Sequence, residues 1–127
     1  MGLLATQSFA LESVEVFTDT VLFPVTNANI GLPVEIHDLS AQQRLLDEIG
    51  FGLPADPALA KDMAAGRLDT PGFRQRLAEA ATGAALANRY GIAKLPAIVF
   101  DRGGAVAYGL SDVNQAVQLY QHWKDTQ

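Results

Sequence analysis

Alternating apolar and polar residues mark two short segments in the first third of the chain. Residues 13–18 (SVEVFT) alternate and are rich in strand formers, and residues 32–39 (LPVEIHDL) contain a second such run. A period of two is typical of a β-strand. Residues 19–31 between them contain Pro24, two asparagines and a glycine, which leave no room for a long helix. The pattern predicts two strands joined by an irregular connection.

A helical spacing replaces the alternation in the middle of the chain, where apolar residues recur every three or four positions. Capping residues predict a first helix from Ser40 to Gly50, a short second helix from residue 55 or 56 to Gly66, and a long third helix from Thr70 to about residue 90. The third helix is predicted to bury one apolar stripe. The members of this stripe are Phe73, Leu77, Ala80, Ala84, Ala87 and Tyr90.

The last third of the chain returns to strands. Residues 96–101 (PAIVFD) form an apolar run that is typical of a strand buried on both faces, and residues 105–108 (AVAY) follow a turn that contains Gly103 and Gly104. This pair predicts a hairpin. Ser111 is predicted to cap a final helix. The buried stripe of that helix is expected to contain Val113, Ala116, Val117, Tyr120 and Trp123. The alternative for Trp123 is that it anchors a partner protein.

Composition narrows the chemistry that this chain can perform. Its 127 residues include no cysteine, which excludes disulfides, thiolate metal sites, a cysteine nucleophile and dithiol redox chemistry. A formal net charge of -5 without any basic run argues against binding to nucleic acid or anionic lipid. With 49% hydrophobic and 18% charged residues the chain is predicted to fold, and no apolar stretch suggests a membrane span.

The first ten residues are predicted to lie outside the domain formed by residues 11–127. Ser8 and Ala10 stand two apart, as small residues do before a signal-peptide cleavage site, but the apolar run is too short for a complete signal peptide. We interpret residues 1–10 as the remaining tail of a signal peptide or as a start added for expression. An ordinary frayed N-terminus is the alternative. The signal-peptide interpretation predicts an exported protein.

Residues 89–104 (RYGIAKLPAIVFDRGG) resemble the second half of a thioredoxin, in which a YGI step ends a helix and a short loop leads to a cis-proline and a hairpin. Residues 14–19 (VEVFTD) resemble the first strand of glutaredoxin-like proteins, where two redox cysteines follow. Residues 20–25 (TVLFPV) stand at that place without a cysteine. The resemblance implies a thioredoxin-like α/β fold with a four-stranded mixed sheet flanked by helices. It implies the strand order two-one-three-four, with the first three strands parallel, the fourth antiparallel, and the second and fourth as edges.

Nearly all of residues 14–123 is similar to a narrower group, the small thioredoxin-like proteins encoded in integrative and conjugative elements. The similarity rests on the segments VEVFTD, PVT, GLPADP, LPAIVFD, AVAYG and DV, at residues 14–19, 24–26, 52–57, 95–101, 105–109 and 112–113. It implies a component of a conjugative type IV secretion apparatus on the periplasmic side. The partners that it implies are other conjugation and type IV secretion proteins.

The thioredoxin resemblance also implies a place for partner binding. In such folds the cis peptide before Pro96 exposes the backbone of Leu95, which can pair with an extended peptide. Three further residues, Thr18, Asp19 and Pro24, lie at or after the carboxyl end of the first strand, where open α/β sheets bind ligands. We predict a partner-binding site at these five residues. The alternatives are that the cis bond only shapes the sheet and that the polar loop residues serve the turn itself.

The remaining titratable residues predict neither a catalytic nor a metal site. His37 and His122 are far apart in sequence and lack a metal-ligand spacing. Glu12, Glu15 and Glu35 are expected to be solvated strand positions, because no spacing brings two carboxyl groups into one pocket. We therefore expect no cofactor and no metal.

Three hypotheses about function follow. The first is a non-catalytic periplasmic assembly component of a conjugative secretion system, which binds its partner through the cis-proline groove or a sheet edge. The second is a chaperone-like peptide-binding thioredoxin homologue without redox activity, and the third is an enzyme that uses a non-thiol mechanism in residues 19–31. We adopt the first, without direct binding to nucleic acid and without a membrane span. The sequence leaves the oligomeric state and the identity of the partner open.

Overall fold

The computed structural model describes residues 11–127, so the interpretation of residues 1–10 lies outside the described residues. The strands are β1 (Val14–Thr18), β2 (Val34–Asp38), β3 (Ala97–Phe100) and β4 (Ala105–Tyr108). The helices are α1 (Ala41–Gly50), α2 (Pro57–Leu68), α3 (Pro71–Arg89) and α4 (Val113–Asp125). The predicted order of elements is confirmed. Within residues 11–127, no helix is both long enough and apolar enough to cross a membrane.

The four strands form one mixed sheet in the order β2-β1-β3-β4. β1 and β2 are parallel, with Val14 opposite Val34. β3 and β4 form an antiparallel hairpin, with Ala97 opposite Tyr108. The predicted α/β class, strand order, hairpin and edge strands are confirmed.

The predicted direction of β3 is wrong, because β3 runs antiparallel to β1. The cause is the segment between α3 and β3. The C-cap of α3 is Tyr90, whose ring lies beside Gly103 in the β3–β4 turn. The chain then crosses to the opposite end of the sheet, where the Ala93 N–H donates to the Tyr108 hydroxyl at 3.3 Å. β3 therefore starts beside the carboxyl end of β1 and runs back along it.

Each face of the sheet carries its own hydrophobic cluster. The cluster that α4 covers contains Val14, Val16, Ile98, Phe100, Val113, Ala116 and Tyr120. The cluster that α3 covers contains Phe17, Ala87, Ala97 and Val99. A smaller cluster between α1 and α3 contains Leu45, Phe73 and Ala80. The two central strands, β1 and β3, are buried on both faces, which the apolar run of residues 96–101 predicted for β3.

The start of α4 differs from the prediction by one residue. The N-cap is Asp112, whose carboxylate accepts a hydrogen bond from the Gln115 N–H at 3.0 Å. Ser111 lies one position too early, and its carbonyl accepts the Thr26 N–H in a bridge that ties the β1–β2 connection to α4. Asn27 strengthens this junction by donating to the Asp112 carboxylate at 2.7 Å.

Three further predictions about the helices are wrong. α2 continues past Gly66, because one glycine lowers helix stability by only about 1 kcal/mol and does not end a helix by itself. In α3 the buried residue is Gly83 and Ala84 is exposed, because the ring of His37 lies under Gly83. In α4, Trp123 is 45% exposed and is not a core residue.

Candidate functional site

The peptide bond between Leu95 and Pro96 is cis, as predicted. Pro96 is buried, and its carbonyl accepts a hydrogen bond from the Gly109 N–H at 2.9 Å. Leu95 is half-buried, and no hydrogen bond within residues 11–127 engages its N–H or its C=O. The backbone of Leu95 is therefore left unpaired within residues 11–127, whereas the proline ring is not an exposed contact surface.

The carboxyl end of β1 lies beside this proline. The antiparallel register pairs Phe17 with Ala97, and its continuation by one residue places Thr18 opposite Pro96. Thr18 is fully buried, and its hydroxyl donates to the Phe23 carbonyl at 2.9 Å. Thr18 therefore orders the loop after β1 and is not itself accessible to a partner.

Asp19 shapes the same loop. Its carboxylate accepts the backbone N–H groups of Val21 at 2.9 Å and Leu22 at 3.2 Å, and its carbonyl accepts the Phe23 N–H at 2.8 Å. This is the turn chemistry that the sequence left open as the alternative for the polar loop residues. Pro24, which follows the turn, is exposed. Of the five predicted site residues, Pro24 is exposed, Leu95 is half-buried and Pro96 is buried, while Thr18 and Asp19 hold the loop.

The turn exposes three consecutive apolar side chains that the sequence pattern had not singled out. Val21 is 71% exposed, Leu22 68% and Phe23 41%. We call residues 21–23 the apolar tip. A signal for it is present in the sequence: three successive apolar residues in a segment with neither a strand nor a helix period. Contiguous exposed apolar surface is typical of interaction sites.

Asp38, at the end of β2, forms hydrogen bonds that hold the loop after β1. Its carboxylate accepts hydrogen bonds from the hydroxyls of Thr20 and Ser40, each at 2.7 Å, and pairs with Arg44. Burial alone would raise the pKa of Asp38, but the hydrogen bonds from Ser40, Thr20 and Arg44 outweigh burial and hold this pKa well below its usual range. Asp38 therefore joins the loop after β1 to the start of α1.

A second polar group lies under α3, where the sequence predicted solvated glutamates. Glu15 is only 6% exposed, so the prediction is wrong for this residue, while Glu35 on the neighbouring strand is exposed. Glu15 is buried because its side chain points to α3, where the Tyr90 hydroxyl donates to Oε1 at 2.8 Å. Burial and this hydrogen bond raise the pKa of Tyr90.

His37 lies between the two glutamates. Its Nε2 atom is 3.6 Å from Oε2 of Glu15 and 3.6 Å from Oε2 of Glu35. This nitrogen is buried and has no hydrogen-bond partner in the described part of the chain. One ligand atom from each residue lies within 4.8 Å of the others, so the three side chains could hold a metal ion. We call Glu15, Glu35 and His37 the Glu–His cluster.

The side chain of His37 has two close neighbours. Its ring stacks on Phe17 with the ring centroids 4.8 Å apart, and a Cβ added to Gly83 would come within 3.1 Å of the His37 Cβ and 3.3 Å of its Nδ1. The parallel register of β1 and β2, which pairs Glu15 with Glu35 and Phe17 with His37, creates this arrangement. Spacing along the sequence could not reveal the cluster, because its members meet across two strands.

A known protein family matches a part of the chain that includes both the cis-proline end of the sheet and the Glu–His cluster. The model of DUF1525, described as a protein of unknown function, matches residues 11–126. The chain belongs to the DUF1525 family. The DUF1525 match includes the apolar tip, the cis-proline and the Glu–His cluster. Searches of the curated proteins and of the solved structures find no match.

Proposed function

We propose that this DUF1525 protein is a non-catalytic binding component that captures an extended segment of a partner protein at the cis-proline end of its sheet. The observation that carries the proposal is the exposure of Val21, Leu22 and Phe23 at the end of β1, the end at which the unpaired backbone of Leu95 lies. An extended peptide can pair with the main chain of Leu95 and place its own apolar side chains on the apolar tip.

The physical chemistry of the loop favours binding. Full burial of a Val, Leu or Phe side chain contributes roughly 1.5–3 kcal/mol, so burial of the apolar tip against a partner favours binding. The hydrogen bonds of Thr18 and Asp19 hold the tip in place before the partner arrives. A loop that is already ordered loses less conformational entropy on binding. Backbone pairing at Leu95 then fixes the direction of the bound segment.

The absence of cysteine from the loop after β1 supports contact instead of redox reaction. We take the fold as thioredoxin-like, with which the sheet order and the cis-proline are compatible. Residues 20–25 occupy the place where redox members of that fold carry cysteines, and this chain has none. The hydroxyl of Thr20, the one nucleophilic side chain at the start of this segment, donates to Asp38 at 2.7 Å.

The cellular setting is part of the proposal. The similarity of six segments to proteins encoded in integrative and conjugative elements supports a partner from the conjugative type IV secretion apparatus. The signal-peptide interpretation of residues 1–10 supports a periplasmic location. The net charge of -5 argues against nucleic acid as the direct partner.

Co-purification tests the proposal with a matched pair of variants. The tagged chain is produced in cells that carry the conjugative element, crosslinked in the living cell and purified. Leu22→Asp places a charge in the apolar tip, and we expect it to lower recovery of an element-encoded partner at least about tenfold, equivalent to about 1.4 kcal/mol. Phe51→Asp, at a loop position that is 81% exposed, is the control and should leave recovery unchanged.

The outcomes separate the three hypotheses. Equal recovery with Leu22→Asp overturns the apolar tip as the binding surface. Recovery of many unrelated periplasmic proteins favours the chaperone-like alternative. Robust turnover in insulin-reduction or glutathione-linked assays supports an enzyme, and we expect none. Pro96→Ala is a less direct probe, because Pro96 is buried and its replacement also affects folding.

A further inference from the structure

The Glu–His cluster concentrates negative charge at a partly buried place. The Glu15 side chain is 7% exposed, and its Oε2 points to the same nitrogen as Oε2 of Glu35. Tyr90 satisfies only Oε1 of Glu15. Glu15 is the buried carboxylate of the pair, and a positive charge at the point where the two carboxylates converge offsets the cost of its burial. That charge is either a proton on Nε2 of His37 or a metal cation.

The distances distinguish these two possibilities. A hydrogen bond between N–H and a carboxylate oxygen needs about 2.7–3.2 Å between the heavy atoms, and both His37 distances are 3.6 Å. Zinc binds nitrogen and carboxylate oxygen at about 2.0–2.1 Å in tetrahedral geometry, which places neighbouring donor atoms roughly 3.4 Å apart. The spacing therefore fits two donors on one ion better than it fits a hydrogen bond.

We propose that Glu15, Glu35 and His37 bind a zinc ion, independently of partner binding at the apolar tip. One imidazole nitrogen and two carboxylate oxygens form a donor set that zinc accepts, with a water molecule as the fourth ligand. Calcium and magnesium prefer coordination by oxygen alone, whereas this cluster presents an imidazole nitrogen. The unpartnered Nε2 of His37 supplies the nitrogen ligand.

The surroundings of the cluster support a built site. The Tyr90 hydroxyl orients Glu15 through Oε1 and leaves Oε2 free for the ion. Stacking on Phe17 and contact with Gly83 fix the ring of His37. Outer contacts of this kind orient metal ligands in proteins. A groove of about 940 Å³ reaches Glu35 and His37 from the solvent and provides a path of entry.

Titration calorimetry on the full chain tests the site. The protein is freed of metal with a chelator and titrated with zinc chloride, and we expect one zinc ion to bind per chain. Glu35→Gln changes a side chain that is 65% exposed, and it should weaken zinc binding at least about tenfold. Glu79→Gln, in the same groove but outside the cluster, is the matched control and should bind zinc as the wild type does.

Nitrogen NMR of the two histidines locates the ion. Zinc should shift the Nε2 resonance of His37 and leave that of His122 unchanged. This measurement uses the wild-type chain, so it does not depend on whether a His37 variant folds. Failure to bind zinc, equal binding by Glu35→Gln, or binding that does not shift the His37 resonance would each overturn the proposal.

Discussion

At the scale of single residues, Tyr120 joins α4 to the β3–β4 turn. Its ring stacks on Phe100 with the centroids 4.4 Å apart, and its hydroxyl donates to Oδ2 of Asp101 at 2.9 Å. The other oxygen of Asp101 accepts the backbone N–H groups of Glu12 and Ser13. One phenol therefore contacts both the core and a carboxylate that holds the start of β1.

Removal of the Tyr120 hydroxyl measures how much its hydrogen bond to Asp101 contributes to stability. Tyr120→Phe keeps the ring, and we expect it to lower the free energy of unfolding by about 1.5–3 kcal/mol, the range for a hydrogen bond to a charged group. The measurement is urea unfolding at pH 7. Tyr108→Phe is the control, because the exposed Tyr108 hydroxyl only accepts the Ala93 N–H at 3.3 Å. An equal loss in both variants would contradict the assigned role.

Gly83 lies in close contact with His37. An alanine there adds a Cβ 3.1 Å from the His37 Cβ, so we expect Gly83→Ala to destabilise the protein even though alanine favours helices. Gly66→Ala is the matched control, because nothing lies within 4 Å of the added Cβ. It should stabilise the protein by about 0.5–1 kcal/mol in the same urea measurement. Stabilisation by both variants would show that the helix can shift away from His37.

At the scale of secondary-structure elements, α2 is the least anchored helix. None of its residues is buried. It is tied to the rest of the chain mainly by Arg67, whose guanidinium donates to the carbonyls of Ile49 at 2.7 Å and Phe51 at 2.6 Å. We expect the α2 amides to exchange with deuterium faster than those of α3, because segments with few buried contacts open most often. Equal protection of both helices in exchange mass spectrometry would contradict this expectation.

Asp38 connects three elements through one carboxylate. Asp38→Ala removes the hydrogen bonds to Thr20 and Ser40 and the ion pair with Arg44. We expect the free energy of unfolding to fall by about 2 kcal/mol, since these contacts include a charged acceptor. Asp47→Ala, at an exposed position of α1, should change it by less than about 0.5 kcal/mol. Thermal unfolding of the two variants compares them directly.

The elements were largely predictable from the sequence, and their relative directions were not. The strand segments, the proline residues that begin α2 and α3, and the hairpin follow from local patterns in the sequence, whereas the predicted end of α2 at Gly66 did not hold. The direction of β3 depends on how the segment after Tyr90 crosses the sheet, and no local pattern encodes this path. The cap of α4 shifted to Asp112 because Thr26 engages Ser111 from a distant loop.

At the scale of the whole molecule, the two candidate sites differ in how far sequence could predict them. The cis-proline was predictable because its loop and hairpin are contiguous in the chain. The burial of Thr18 and Pro96 was not, since it depends on the register between β1 and β3. The Glu–His cluster depends on the register between β1 and β2 and on the close approach of α3 at Gly83. A single sequence contains no direct record of either.

Folding shifts the pKa values of Asp101 and Tyr120, which contact each other, in opposite directions. Burial alone would raise the pKa of Asp101, but hydrogen bonds from Glu12, Tyr120 and Ser13 outweigh it and lower this pKa. Burial and the hydrogen bond to the Asp101 carboxylate raise the pKa of Tyr120 to about 12. A lowered acid pKa stabilises the fold above the unfolded value of about 3.9, and a raised tyrosine pKa stabilises it below about 10.

The Tyr120–Asp101 contact should therefore add a stabilising contribution that is constant between two pH limits. As the pH falls below about 4, Asp101 takes up a proton and its contribution is lost; as the pH rises from about 10 through 12, Tyr120 loses its proton and the same contact breaks. Tyr120→Phe removes the alkaline limit that this residue sets. It also reduces the loss of stability at acid pH, because Asp101 then accepts one hydrogen bond fewer. Urea midpoints measured across this pH range compare both proteins. Parallel profiles for wild type and variant would show that the Tyr120–Asp101 contact does not govern either limit.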